Sequence, residues 1–409
     1  MRKIETGVLL ALVFLFSVNR GLEAEITEKN IRYVDCPGFP QAHSAWKSLG
    51  YSKKHKKVFI GITNHRDKVA LYEYQVNSGT MRLLGFLDEM ANLRDFQWQG
   101  KIHSEIIEGP DGCMYFSTDG GEVREEYLMN HPRGYYGGLF FKWDPVAEKL
   151  TNLGLGLRYD SIKDIALDQV GGLVYGISYP QVHFLVYDPK RNALRDLGRV
   201  GSAHVPRTMF SDWWGNCYYV DWRQRLVKYE RDTESLLFSR DSVPSFPGTK
   251  AYLIITGLSA YATDQESGTI YLLTAGNMIV AFHPQRLGIG PMEALGPTHD
   301  TPELPPFGHT PNLACGANGK LYYFIGGHGQ YAIKNTTLLM EFDPENKKKR
   351  PVLRFPTDVL SEATGCDVKD EQGNFYFAGR KWVFDPDDKS EAGPSRPFLI
   401  VFNPERDVK

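Results

Sequence analysis

Apolar and polar positions alternate in short runs along nearly the whole chain, and a glycine or a proline closes most of them. A period of two sends successive side chains to opposite faces of a half-buried strand, whereas a helix needs apolar residues at i, i+3 and i+4. No stretch longer than about ten residues keeps the helical period, so the pattern predicts many strands and few helices.

The strands recur as a unit. A glycine turn leads into a short strand centred on an aromatic, as in Gly112-Cys113-Met114-Tyr115-Phe116, Gly172-Leu173-Val174-Tyr175, Gly215-Asn216-Cys217-Tyr218, Gly268-Thr269-Ile270-Tyr271, Gly319-Lys320-Leu321-Tyr322 and Gly373-Asn374-Phe375-Tyr376. Lys57-Val58-Phe59-Ile60-Gly61 is a degenerate copy. The markers lie 43 to 60 residues apart, which suits blades of four strands. A second marker, aromatic-Asp-Pro or a close variant, follows at Trp143-Asp144-Pro145, Tyr187-Asp188-Pro189, Phe282-His283-Pro284, Phe342-Asp343-Pro344, Phe384-Asp385-Pro386 and Phe402-Asn403-Pro404. Proline cannot continue a central ladder, so each copy ends a strand. A blade leaves apolar faces that only its neighbours cover, and a ring needs no end caps. The expected fold is all-β, a seven-bladed β-propeller over residues 25–409. The segment 31–40 precedes the first repeat and is placed to complete the last blade. A pair of sandwich domains is the alternative, and the even repeat disfavours it.

Composition adds three points. The formal charge of −2 gives no steering toward nucleic acid, although a local basic cluster in a cleft would not register in that sum. Arg2 and Lys3 before the apolar run 8–18, with a cleavage point after Ala24, read as a signal peptide over 1–24. The mature protein is then secreted or periplasmic, with no membrane attachment; an uncleaved anchor is the competing reading. Five cysteines without a CxxC pair exclude a zinc-site spacing, and leave room for at most an isolated bridge involving Cys36.

The innermost strand of a blade lines the channel, and its first residues open on one mouth. With the glycine–aromatic marker as second strand, residues 11 to 15 positions before the marker tyrosine reach that mouth. This selects His103, Asp160, Lys163, His204, Arg207, His309 and Glu362. Each has a plainer reading: a histidine satisfying a carbonyl, or Arg207 paired with Asp212. Alternation in Lys101-Ile102-His103-Ser104-Glu105 sends His103 and Glu105 to one face. The long loop 119–138 carries His131, Arg133, Tyr135 and Tyr136, a cationic and aromatic set suited to sugar acids or else a surface flap. Tyr179 lies in a turn before Pro180.

Lys101-Ile102-His103-Ser104 followed by Asp111-Gly112-Cys113-Met114-Tyr115-Phe116-Ser117-Thr118 resembles a pattern of exported bacterial seven-bladed propellers related to ulvan lyases, and more distantly to oligogalacturonate lyases. Tyr136-Gly137-Gly138-Leu139, Tyr175-Gly176-Ile177-Ser178-Tyr179-Pro180 and Arg207 before Asp212-Trp213-Trp214 extend it over residues 98 to 220. The resemblance implies β-elimination on a uronic-acid polysaccharide or oligosaccharide. It implies His103 and Tyr179 as acid and base, with Arg207 and a second histidine on the substrate carboxylate. That histidine is replaced by Leu139, and His131 is the nearest substitute. Lys101, Arg133, Tyr136, His204 and His309 join as substrate-binding candidates. The related oligogalacturonate lyases are metal-dependent, so a divalent metal on His103, His309 and His328 is conceivable, but the spacing assigns none. A non-catalytic glycan- or protein-binding propeller and a calcium-dependent hydrolase are the alternatives.

Overall fold

The computed structural model describes residues 25–64, 66–120, 134–201, 205–245, 255–300, 310–325, 336–382 and 395–405. Apart from the short helix Leu87–Met90 and two single 3-10 turns, the regular structure of these residues is strand. The chain is a β-propeller. Its first blade is a four-stranded antiparallel sheet, Leu49–Ser52, Lys57–Thr63, Val69–Gln75 and Thr80–Phe86. The second runs from Lys101–Ile102 and Ile107–Glu108 through Met114–Asp119 and Leu139–Asp144 to Lys149–Leu155. Blades three, four and five begin at Ser161–Leu167, Phe210–Ser211 and Leu258–Thr263.

An eight-stranded sheet completes the ring. One antiparallel run in it goes from Asn312–Cys315 to Lys348–Phe355, and another from Glu362–Cys366 through Phe375–Trp382 to Ser395–Phe402. The two touch through the parallel pairs Asn312↔Gly365 and Leu313↔Cys366. The N-terminal strand Ile31–Asp35 pairs antiparallel with Ser395–Phe402, Ile31 opposite Phe402, so the beginning of the described chain supplies the outermost strand of its last run. The Phe384-Asp385-Pro386 marker lies outside the described residues, and that third strand ends at Phe402-Asn403-Pro404.

The marker tyrosines sit on second strands, as their spacing predicted. In the turn before each, a carboxylate or amide organises the glycine corner. Asp212 accepts from the backbone N–H of Trp214 and Asn216, from Asn216 Nδ2 and from the Tyr218 hydroxyl. Asp111 with Tyr115 and Asp370 with Tyr376 repeat the last contact, at 2.9 and 2.6 Å. Apolar side chains fill the spaces between successive blades, for example Phe59 and Leu71 of the first against Phe116, Leu139 and Phe141 of the second. All five cysteines are free, so no bridge involves Cys36. Packing and turn chemistry, rather than disulfides, hold the ring.

Candidate functional site

The upper ends of the inner strands converge on a cationic cluster around one histidine. His103 follows Lys101–Ile102, is 3% exposed, and donates from Nδ1 to the Lys163 carbonyl at 2.8 Å. A carbonyl can only accept, so Nδ1 carries the proton and Nε2 keeps its lone pair. Burial, then the charges of Lys163 and Lys101 and more weakly Arg207, hold its pKa well below the usual imidazole value, against the opposing pull of Asp119. The ring stacks beside Trp46, with centroids 6.2 Å apart, and the Lys101 ammonium lies 4.6 Å from the Trp46 ring.

Lys163 links this histidine to Tyr179. Its ammonium pairs with Asp119 and lies 5.2 Å from the centre of the Tyr179 ring. Burial alone would raise the Asp119 pKa, but Lys163 and Lys101 override it and hold it well below the usual carboxylate range. Ser161 also donates to Asp119, at 3.1 Å. Tyr179 ends the second strand of blade three, paired with Ser161, rather than lying free in a turn. Arg207 precedes the inner strand of blade four and lines, with Trp46, Lys47, His103, Ser259 and Glu362, a cavity of about 10 Å³ on the channel. That volume holds roughly one water.

A buried polar hub adjoins this cavity through Lys47. Lys47, 4% exposed, reaches Asp164 at 2.6 Å, Glu105 at 3.3 Å, the Arg207 carbonyl at 3.0 Å and Thr208 Oγ1 at 3.3 Å. Tyr261 donates to Glu105 at 2.9 Å, and the Met209 N–H donates to Asp164 at 2.8 Å. Burial, reinforced by Asp164 and opposed by Lys47, pushes Glu105 up to about 7. Sequence reasoning missed Lys47, although it stands 12 residues before Phe59 of the degenerate repeat, as His103 stands 12 before Tyr115.

The other candidates divide. Lys101 is at the cluster. Asp160 accepts from Ser178 Oγ at 2.7 Å and the Gln181 N–H at 3.1 Å, which stabilises the turn after Tyr179. Glu362 is buried against Arg380 at 2.6 Å. Tyr136 packs its ring on Phe96 at 5.4 Å and under Arg158 at 5.8 Å. Its neighbour Tyr135 donates to Gln99 at 3.0 Å. Asp212, the proposed partner of Arg207, serves its own turn instead, accepting from Trp214, Asn216 and Tyr218. Leu139, where the resembling pattern has histidine, is 1% exposed in the core between blades one and two. His131, Arg133, His204, His309 and His328 lie outside the described residues. Among the described residues no three His, Cys, Asp or Glu side chains group to hold a metal ion.

A larger opening of about 650 Å³ lies between the outer strand of blade four and residues 288–292, but it gathers no comparable set of charges. The mouth is the candidate site because His103, Lys101, Lys163 and Arg207 act on one another there.

No known protein family matches the chain, and no curated protein matches its sequence. Solved structures do. A catalytically inactive variant of virginiamycin B lyase from Staphylococcus aureus with quinupristin superposes with a TM-score of 0.59 at 10% identity, covering 91% of this chain and 98% of that one. A streptogramin B lyase gives 0.57 at 10% identity, over 91% and 97% of the two chains. The structure of U3-55K gives 0.56 at 11%, over 91% and 98%. At such identities the likeness is one of fold: a propeller shared by lyases and by other proteins.

Proposed function

We propose that this chain is a secreted, lyase-like propeller that cleaves a uronic-acid-containing anionic glycan by β-elimination at the mouth of its channel. The observation that carries the reading is a neutral imidazole, His103, bonded through Nδ1 to the Lys163 carbonyl while the charges of Lys163, Lys101 and Arg207 disfavour its protonation. A base that stays unprotonated beside cations matches the reaction. His103 Nε2 takes the proton from C5, the electron pair forms the C4–C5 double bond, and the C4–oxygen bond breaks. The leaving oxygen takes a proton from the Tyr179 hydroxyl. Arg207 and the lysines neutralise the carboxylate, which lowers the energy of the enolate-like transition state.

The ring is best counted as seven blades. A hydrophobic cluster including Ala314, Phe324 and Leu339 from one run of the eight-stranded sheet and Phe377, Phe398 and Ile400 from the other lies between the two runs. Members of one continuous flat sheet would not enclose such a core between them, whereas adjacent blades do. Export rests on the charged and apolar pattern of residues 1–24.

The test is incubation with ulvan and with polygalacturonate, following the absorbance of the unsaturated uronate. Activity in the wild-type chain, lost by about 100-fold or more in His103→Ala and Arg207→Ala, supports the reading. The second reading, non-catalytic glycan binding, is favoured by the Lys163 ammonium already lying over the Tyr179 ring. Saturable binding without any unsaturated product would select it.

A further inference from the structure

The hub and the mouth are joined at the residues that matter. Asp164 follows Lys163 directly, Glu105 comes two residues after His103, and the third oxygen on the Lys47 ammonium is the carbonyl of Arg207 itself. One side chain from blade one therefore tethers the segments carrying the three principal mouth groups, from blades two, three and four. We propose that Lys47 is a positioning residue: its ammonium sets the spacing of His103, Lys163 and Arg207, and an anionic ligand depends on it without touching it. The ligand part rests on the functional reading above.

Stability alone does not account for such a cluster. Taking an ammonium and two carboxylates out of water is costly, and well-packed apolar side chains of similar volume often replace buried ion pairs at no loss. What a lysine supplies instead is direction. Its three N–H bonds go to Asp164, the Arg207 carbonyl and Thr208 Oγ1, and its charge holds Glu105 at 3.3 Å. The groups facing Glu105 are Lys47 from blade one, Asp164 from blade three, Tyr261 from blade five and Cys366 from the closing sheet. With its pKa pushed up to about 7, a change in Glu105 charge near neutral pH would alter what Lys47 balances, and the mouth spacing should respond.

The test compares Lys47→Met and Glu105→Gln with the wild-type full chain. One readout is the Nδ1–H signature of His103 in long-range ¹H–¹⁵N spectra, assigned with His103→Asn, and the other is affinity for polygalacturonate. Lys47→Met should melt cooperatively, lose the wild-type His103 signature and bind roughly 10- to 100-fold more weakly. Glu105→Gln should keep the signature and show no step between pH 6 and 8, where the wild type does. A folded Lys47→Met with wild-type His103 signals overturns the proposal. If Lys47→Met does not fold, a wild-type pH step persisting in Glu105→Gln overturns it instead. If the wild-type chain binds no polyuronate, the functional reading fails, and the His103 spectra still decide the role of Lys47.

Discussion

The inner strands end differently at their two extremities. At the lower turns one solution repeats: Asp111, Asp212 and Asp370 each receive the hydroxyl of the tyrosine four or six residues on, and Asn318 donates to Tyr322 at 3.0 Å. At the upper ends almost nothing repeats. Lys47, His103, Lys163, Arg207, Ser259 and Thr364 stand near equivalent places with unrelated chemistry. Folding explains repetition, since every blade needs the same corner. Divergence at positions that the fold treats alike is what the proposed ligand role of the mouth would leave behind.

The comparison breaks if mouth residues prove structural or lower residues functional. Leu139→His carries the largest expected effect. It removes an aliphatic side chain from the core between blades one and two and buries an imidazole with no designed partner. The expected loss is about 3–5 kcal/mol in urea unfolding, with no gain in eliminase activity. A stable, more active variant would mean that this position opens onto the site. Asp212→Ala comes next. It strands two backbone N–H groups, an amide and a buried tyrosine hydroxyl, for about 2–4 kcal/mol, while ligand affinity of the folded protein stays unchanged. A cost below that of His103→Ala would reverse the assignment of the two ends.

Hub and mouth also differ in the sign of their pH response. The folded-state pKa of Glu105 is raised to about 7 from 4.5, chiefly by burial. Its contribution to stability is complete below pH 4.5 and is lost as pH rises through about 7. His103 is depressed below 6.5, by burial and by the neighbouring cations. Its contribution is present above 6.5 and is lost as pH falls. Glu105→Gln should therefore flatten the alkaline side of the urea-midpoint profile, by on the order of 1–3 kcal/mol between pH 5 and 8, and leave the acid side as in the wild type. An unchanged alkaline side would show that Glu105 is ionised throughout.

Much of the architecture was legible because it repeats. Glycine turns and marker tyrosines gave strand order, and the position of 31–40 before the first repeat gave the ring closure that Ile31 and Phe402 complete. The mouth was legible through the same ruler, since counting back from Tyr115, Tyr175 and Tyr218 reached His103, Lys163 and Arg207. The ruler failed where its mark was worn: Phe59 replaces the tyrosine in the first copy, and Lys47 went unread. It also could not tell neighbours apart by direction. Tyr135 and Tyr136 are equivalent in composition, but Tyr135 bonds to Gln99 while Tyr136 packs on Phe96.

That pair gives the smallest and most discriminating prediction. Tyr136 is half-buried against Phe96 and Arg158, and those contacts engage its ring. Tyr136→Phe preserves the ring and should change stability by less than about 0.5 kcal/mol and polyuronate affinity not at all. Tyr179→Phe preserves its ring too, and with it the contact to Lys163. If the Tyr179 hydroxyl protonates the leaving oxygen, this variant should bind as the wild type does yet turn over about 100-fold more slowly. Two tyrosines losing the same atom then report different things: one whether the 119–138 loop engages the glycan, the other whether the mouth performs chemistry. Equal turnover in both would remove Tyr179 from the reaction and leave His103 without its acid.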